Sequence, residues 1–343
     1  MGLQIGEIIP KKEISFSDLK GKTIAVDAFN AIYQFLTTIR QPDGTPLKDS
    51  IGNTTSHLSG LFYRNINLIL ENIKLIYVFD GEAPELKART WENRKEAKEK
   101  AREKYEQAVE KEDIEAMGKY ARSDAYLDEQ KIKESKELLE AMGIAIIQAP
   151  GEGEAQASYL AQKQVYAVAS QDYDCLMFQA PKLIQNLSMS RKRKTATGYT
   201  EVHPQLIELK NVFKELDINQ EQLICLGILC GTDYNPGGIK GLGPKKSLKI
   251  IKEFKTKEKI FKALEIKEKP EFEKYEINFD WKKIYEEIKN PNINKKIKVD
   301  FPKINPEKIK DILLKYEFSE ERIDNQLKKL EELKKQASQK TLF

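Results

Sequence analysis

Histidine and cysteine are scarce in this chain of 343 residues, which has two histidines and three cysteines. His57 and His203 are too few for a histidine-based catalytic triad or a histidine-rich metal site. Cys175, Cys225 and Cys230 are too few and too scattered for a disulfide framework or a zinc site. They fit a reducing cytoplasm, and any chemistry must rest on carboxylates, lysines and arginines.

Long hydrophobic runs and a signal-peptide pattern are also missing. No apolar run approaches the ~18 residues of a membrane span, so we expect no membrane partner. Net charge is small too, because 58 Lys+Arg stand against 54 Asp+Glu and leave +4. This near-balance does not exclude nucleic acid, since the placement of charges rather than their sum decides which surface attracts phosphates.

Short β-branched runs alternate with helical patterns over the first half of the chain. They predict strands at 23–26, 75–79, 145–147, 166–169 and 183–187. Repeated strand–helix–strand units predict an α/β domain with a mainly parallel central sheet. The pattern from Pro204 onward is mostly helical, and the basic run 191–194 is typical of a hairpin or loop.

Acidic residues follow these apolar runs again and again along the chain. They are Asp27, Asp80, Glu152, Glu154, Asp172, Asp174 and Asp233. Because the carboxyl ends of parallel strands share one edge of the sheet, we expect several of these acids to converge there. Like charges in one cleft raise each other's pKa, so the group needs cations to stay ionised.

Magnesium suits such a site, because Mg²⁺ is a hard ion that prefers oxygen ligands. Two such ions roughly 4 Å apart can activate a water molecule and stabilise the leaving oxygen of a phosphodiester. The residues therefore predict metal-assisted phosphoryl transfer. Each acid taken alone has a simpler interpretation, since a strand-terminal Asp often caps a helix. Asp172 could cap the following helix, and Glu152 could favour a helix N-terminus through the dipole.

Six sequence blocks resemble those of structure-specific 5′ nucleases, in particular flap endonucleases of the archaeal type. The blocks are IAVDAFNAIYQFL, TTSHLSGLFYR, YVFDGEAPELK, APGEGEAQASYLA, ASQDYDCLMF and GTDYNPGGIKGLGPKKSLKII. The resemblance covers residues 2–264 and implies a PIN-like α/β fold with a helical arch insertion and a helix–two-turn–helix DNA-binding element. Its motifs are specific as a set, whereas no single block would be.

The same resemblance implies a division of the chain. Its parts are a nuclease domain at 1–270 (N-terminal region 1–92, gateway and cap about 93–134, internal region 135–270 with the helix–two-turn–helix at about 220–262), a helical extension at 271–335 and a tail at 336–343. Acids within the gateway and cap should face outward, because a basic inner face suits a single strand.

Family roles transfer onto matching positions. Asp27, Asp80, Glu152 and Glu154 would serve a first Mg²⁺, and Asp172, Asp174 and Asp233 would complete a two-metal site that Mn²⁺ can also fill. Lys87 and Arg94, seven residues apart, would lie on one helix face and contact the scissile phosphate. Tyr33 would stack on a base, although an aromatic residue on an amphipathic helix is usually core.

The glycine-rich block has its own physical interpretation as a duplex anchor. Gly241 and Gly243 allow a tight turn, and Pro244 is suited to the first position of a helix. Amides at that helix start can hold a phosphate beside Lys245 and Lys246. The resemblance adds a K⁺ ion bridging the turn to DNA, and the basic run contributes Lys192 and Arg193 as further DNA contacts.

The C-terminal residues partly match a clamp-binding peptide. Gln339 and Leu342 match its first half, and Phe343 ends the chain before an aromatic pair is complete. A frayed polar end is the simpler interpretation. The resemblance implies a sliding clamp of the PCNA type as partner.

Together with these observations, the resemblance implies a monomeric, Mg²⁺-dependent 5′ flap endonuclease with 5′-3′ exonuclease activity. It would act on flap, double-flap and nicked DNA in Okazaki-fragment processing and repair, in the cytoplasm of an archaeal cell at the nucleoid. A bubble-type endonuclease or a 5′ exonuclease of the same family is the nearest alternative. A non-catalytic junction scaffold and a PIN-type ribonuclease are further alternatives.

Overall fold

The structure, a computed structural model, describes residues 3–41, 44–82, 84–87, 127–187, 192–195 and 198–340. Its strands are β1 (Lys12–Glu13), β2 (Thr23–Asp27), β3 (Lys74–Phe79), β4 (Ala145–Gln148), β5 (Ala167–Ala169), β6 (Lys182–Gln185), β7 (Lys192–Thr195), β8 (Gly198–Glu201) and β9 (Gln205–Glu208). Most of the predicted gateway and cap therefore lies outside the described residues.

The helices come in two groups along the chain. The first group is α1 (Ala28–Thr38), α2 (Ser56–Leu70), α3 (Glu129–Ala141), α4 (Gly153–Lys163) and α5 (Asp174–Met177). The second is α6 (Leu209–Leu216), α7 (Gln220–Cys230), α8 (Pro244–Phe254), α9 (Lys257–Glu265), α10 (Trp281–Lys289), α11 (Pro306–Lys315) and α12 (Glu320–Lys340). In the part of the chain that the structure covers, no helix is both long and apolar enough to cross a membrane.

The central sheet has the strand order β1-β9-β6-β5-β2-β3-β4. Strands β2 to β6 pair in parallel, which confirms the predicted mainly parallel sheet. Strand β9 pairs antiparallel with β6 and β1, so residues 205–208 are an exception to the predicted mostly helical pattern after Pro204. A run of four residues is too short for periodicity to separate a strand from a helix start. The basic run forms the β7–β8 hairpin, as predicted.

Alternate side chains of the central strands enter two separate cores. Ile24 and Val26 of β2 pack with α1, α2, α3, α11 and α12, whereas Ala25 packs with α4 and α7 to α10. Successive strand side chains point to opposite faces, so helices on both sides bury both faces of the sheet. This burial explains why the strand sequences are continuous hydrophobic runs, and it gives a three-layered α/β fold.

The chain reverses its direction across the sheet between β2 and β5. It adds β3 and β4 on one side of β2 and then returns to place β5 on the other side. The carboxyl ends of β2 and β5 therefore flank a topological switch point, where open α/β sheets bind ligands. Asp27 is the last residue of β2, and Ser170 directly follows β5.

An extended segment links the two helical layers before α11 begins. The Gln156 side chain of α4 exchanges two hydrogen bonds with the Asn294 backbone, at 2.7 and 3.1 Å. Farther along, the Asn305 amide donates to the Ala141 carbonyl at 2.8 Å. The segment thus carries the C-terminal helices to the face that holds α2 and α3.

The last residue of the predicted gateway and cap faces inward rather than outward. Glu134 of α3 is buried, and its carboxylate accepts hydrogen bonds from His57 and Tyr316. The expectation that acids of this segment face outward is therefore wrong for Glu134. A neighbouring histidine and tyrosine from distant parts of the chain supply the donors that make its burial favourable.

Helices α7 and α8 and the turns between them form the glycine-rich unit. Gly241 has φ +88°, in the left-handed region that favours glycine. Gly243 has φ −87° and an extended backbone, so the predicted tight turn depends on Gly241 and not on Gly243. Pro244 is the first residue of α8, as its fixed φ predicts.

Candidate metal centre

Asp27 takes part in a helix cap and in an acidic cluster at once. Its Oδ1 accepts from the Asn30 amide at 3.0 Å, so the simple capping interpretation is correct for that oxygen. Its Oδ2 accepts from the buried Ser170 hydroxyl at 3.2 Å. The cap fixes the side chain where β2 ends, so its carboxylate stays at the switch point.

Asp80 is held by the backbone of α4. Its Oδ1 accepts from the Gly153 amide at 2.7 Å. A Cβ at position 153 would lie 2.5 Å from that same oxygen and 3.2 Å from the Val78 carbonyl oxygen. Only glycine lets the amide approach so closely. Gly153, between Glu152 and Glu154, is therefore needed to hold the Asp80 carboxylate in place.

Three acids at the starts of α4 and α5 form the tightest group. One carboxylate oxygen from each of Glu154, Asp172 and Asp174 lies within 4.8 Å of the others. Asp172 does not cap α5, because the N-cap there is Tyr173. The Asp172 carboxylate instead accepts from the Tyr173 amide at 3.1 Å. The capping interpretation of Asp172 is wrong, and its carboxylate belongs to the acidic group.

The buried carboxylates shift one another's protonation. Burial raises the pKa of Asp27 to about 7, and the charge of Asp80 adds to the effect. Burial also raises the pKa of Asp80. Burial, then the charge of Asp174, raises the pKa of Glu154 well above its ordinary value, and burial with Asp172 does the same to Asp174. Without a cation, the cluster therefore resists full ionisation.

One buried carboxylate oxygen of the cluster has no hydrogen-bond donor. Asp174 is 5% exposed, and its Oδ1 has no such partner. Buried polar atoms normally find a donor or a bound ion. A divalent cation that prefers oxygen ligands would supply what this atom lacks, so the residues present fit a metal site.

Lys87 lies inside the acidic group rather than on the surface. It ends the 3-10 turn Glu85–Lys87 and forms a salt bridge with Glu152, and its Nζ is 3.8 Å from Asp233 Oδ2. Burial alone would lower the pKa of Lys87, but the charges of Glu152, Glu154 and Asp233 outweigh it and raise the pKa. Lys87 is therefore a largely buried cation of the cluster and not a solvated surface charge. Arg94 lies outside the described residues.

The other predicted contact residues have different surroundings. Tyr33 is 41% exposed on α1, so it is not a core aromatic. Lys245 pairs with Glu7 at 3.3 Å, and the Lys246 ammonium donates to the Gly241 carbonyl at 3.4 Å. Both lysines stand at the start of α8. The side chains of Lys192, Arg193 and Gln339, and the whole of Leu342 and Phe343, lie outside the described residues.

Sequence reasoning missed three residues that shape the cluster. Gly153 donates to Asp80, Ser170 donates to Asp27, and the Tyr234 ring lies 5.1 Å from the Lys87 ammonium. All three fall inside the blocks quoted above, within two residues of a predicted acid. A single sequence does not distinguish these three residues from their neighbours. Each contacts a residue that is distant along the chain, and only the fold brings the two together.

Family comparisons agree with this architecture. The model of the XPG N-terminal domain matches residues 4–101, and the model of the XPG I-region matches residues 143–233. Together with the acidic cluster at the sheet edge, these matches define the class as an XPG-type nuclease fold.

Curated relatives narrow the class. Flap endonuclease 1 of Thermococcus onnurineus is 50% identical over 100% of this chain and 98% of its own length. That of Saccharolobus solfataricus is 48% identical over 95% and 93%. The solved flap endonuclease-1 from Methanococcus jannaschii is 40% identical, with TM-score 0.72 and 96% and 98% coverage. The chain belongs to the flap endonuclease 1 family, which confirms the resemblance drawn from its motifs.

A more distant structure shares the fold. The catalytic core of Rad2 in complex with DNA substrate is 23% identical, with TM-score 0.70 over 94% of this chain and 96% of that one. At this identity the likeness concerns the arrangement of sheet and helices alone. The PIN-like α/β prediction is confirmed.

Proposed function

We propose that this protein is a Mg²⁺-dependent endonuclease that hydrolyses DNA at the base of a 5′ flap, with 5′-3′ exonuclease activity. The observation that carries the proposal is the acidic cluster. One carboxylate oxygen from each of Glu154, Asp172 and Asp174 lies within 4.8 Å of the others, and Asp174 has a buried oxygen without a donor. The chain belongs to the flap endonuclease 1 family, and this membership supports a 5′ flap as the substrate. Replication and repair are the processes that generate such flaps.

The seven carboxylates are the proposed metal ligands, either directly or through water. Asp27, Asp80, Glu152 and Glu154 would hold the first ion, and Asp172, Asp174 and Asp233 would complete the site. When bound, two Mg²⁺ ions activate the attacking water and stabilise the leaving oxygen. An oxygen-only ligand set favours Mg²⁺ and also accepts Mn²⁺.

The remaining residues position the substrate. The Lys87 ammonium would contact the scissile phosphate, with Arg94 beside it, and neutralise charge that develops during cleavage. Exposed Tyr33 would stack on the adjacent base. The phosphate would then be held between the acidic cluster and these cationic and aromatic groups, which fixes the bond that is cut.

The glycine-rich unit is the proposed anchor for the duplex. Backbone amides at the start of α8 can bind a phosphate beside Lys245 and Lys246, and a K⁺ ion could bridge the turn carbonyls to DNA. Lys192 and Arg193 on the basic hairpin would add further phosphate contacts. Such contacts carry no sequence information, so binding should depend on DNA shape and weaken as salt rises.

Cleavage assays on three substrates test this function. The protein is incubated with a labelled double-flap DNA, a bubble DNA and an RNA hairpin, each with Mg²⁺ or with EDTA. We expect cleavage at the flap base in the reactions that contain Mg²⁺ and no cleavage in those that contain EDTA. Preferred cutting of the bubble would favour the bubble-type alternative, and cutting of the hairpin a PIN-type ribonuclease. Flap binding without any Mg²⁺-dependent cut would support a scaffold and contradict the proposal.

We also propose that the tail binds a sliding clamp and that the protein is otherwise a monomer at the cytoplasmic nucleoid. Gln339, Leu342 and Phe343 support this through their partial match to a clamp-binding peptide. Deletion of residues 336–343 should abolish co-elution with an archaeal clamp in size-exclusion chromatography and leave flap cleavage at the wild-type rate. Co-elution that survives the deletion would place the clamp contact elsewhere.

A further inference from the structure

A lysine ammonium already stands among the carboxylates proposed to bind metal. Lys87 pairs with Glu152 and approaches Asp233, and the three side chains are 14%, 9% and 17% exposed. An ammonium enclosed in this way neutralises part of the charge that a divalent ion would otherwise neutralise. A divalent ion that binds the same carboxylates while the ammonium is in place is repelled by it, and this repulsion weakens metal binding.

An aromatic ring holds the same ammonium. Tyr234 is 8% exposed, and its ring centroid lies 5.1 Å from the Lys87 Nζ. A cation over a buried ring face is attracted by the ring quadrupole, more strongly when water is excluded. Burial raises the pKa of Tyr234, and so do the charge of Glu152 and a hydrogen bond with its side chain.

We propose that Tyr234 is a positioning residue that holds Lys87 as an internal counter-cation of the acidic cluster. A divalent ion must displace the ammonium from Glu152 and Asp233 in order to bind. The inference rests on the metal site of the proposed function. It implies that metal loading and the release of Lys87 toward a substrate phosphate are one coupled exchange, so the lysine reaches the phosphate only once the metal has replaced it.

A metal titration of the full-length chain tests this exchange without any nuclease assay. The protein is stripped with EDTA, dialysed and titrated with Mn²⁺ alone, and free Mn²⁺ is measured by electron paramagnetic resonance. Lys87→Gln is expected to bind its first Mn²⁺ at least about tenfold more tightly than wild type, because a competing charge has been removed. Tyr234→Leu should shift affinity in the same direction by about threefold, since the ring contact is lost.

Two further variants serve as controls. Tyr234→Phe keeps the ring face and loses only the hydroxyl beside Glu152, so it should shift the affinity by less than Tyr234→Leu does. Lys136 also lies over a ring, 4.8 Å from Phe79, and donates to Gln148 rather than to an acid of the cluster. Lys136→Gln removes a comparable lysine from the same neighbourhood and should bind Mn²⁺ as wild type does.

Thermal unfolding with and without Mn²⁺ separates exchange from a packing defect. Lys87→Gln should have a lower Tm in EDTA and a larger Mn²⁺-induced rise than wild type. A cavity left by Tyr234→Leu would lower both Tm values equally, whereas loss of the ring contact also enlarges the rise. Equal Mn²⁺ affinity of wild type and Lys87→Gln, or an equal gain in Lys136→Gln, would overturn the inference. Absence of Mn²⁺ binding by wild type would instead overturn the metal site itself.

Discussion

Replacing Asp174 with asparagine should reduce flap cleavage by at least about a thousandfold and leave flap binding within about twofold. Asp174 belongs to the tightest acidic group, and one of its buried oxygens has no hydrogen-bond donor. Asparagine keeps the shape of the side chain but removes the charge and places an amide nitrogen in the ligand set. Single-turnover cleavage and a fluorescence-anisotropy titration with flap DNA measure the two effects separately.

The control for this variant is Asp300→Asn, which makes the same chemical change at an exposed residue. It should cleave at the wild-type rate. In EDTA, Asp174→Asn should unfold at a higher temperature than wild type, because burial and the charge of Asp172 disfavour the Asp174 carboxylate. Wild-type cleavage by Asp174→Asn would remove Asp174 from the proposed metal site.

Replacing Glu134 with alanine should lower the free energy of unfolding by about 3 kcal/mol. Its carboxylate lies between His57 at 2.9 Å and the Tyr316 hydroxyl at 2.6 Å, and Gln130 donates to it at 2.8 Å. His57 is fully buried, so the substitution leaves a ring nitrogen without its partner. The network joins α2 and α3 to the residue that follows α11, and its loss loosens the C-terminal helices.

Urea unfolding at neutral pH measures this effect against a matched control. Glu140→Ala removes an exposed carboxylate from the same helix and should change stability by less than about 0.5 kcal/mol. If both variants unfold at the same urea concentration, the buried network contributes nothing to the stability of the fold.

The pH dependence of the Glu134 contribution has a definite sign. Burial alone would raise the pKa of Glu134, but hydrogen bonds from His57, Tyr316 and Gln130 outweigh it and lower the pKa. A carboxyl whose pKa is lower in the folded protein stabilises the fold above its unfolded pKa and loses that effect as pH falls. The stability difference between wild type and Glu134→Gln should therefore shrink as the pH falls below about 4.

Much of the fold follows from local patterns. The run at 75–79 becomes β3, and Ala28 begins α1, because hydrophobic periodicity reports burial on one or both faces of an element. Strand β9 does not follow in this way. Its four residues become a strand because β6 offers an open edge with which they pair in antiparallel register.

The convergence of the acids was also accessible from the sequence. Asp27 and Asp80 each follow a predicted strand, and parallel strands bring their carboxyl ends to one edge. The roles of the residues beside these acids could not be predicted from the sequence. Gly153 matters because its amide reaches Asp80 across a distance of 73 residues in sequence, which no local pattern encodes.

The sequence by itself determined the α/β class, the parallel core and the acidic edge, because these depend on periodicity and on the order of strands and acids. The tertiary structure alone decided which way the charged side chains point. Lysine and glutamate are usually found on the solvated faces of helices, yet Lys87 and Glu134 are buried against charged or polar partners. Burial of a charge depends on a partner brought close by the whole fold, and that partner is invisible to a local pattern.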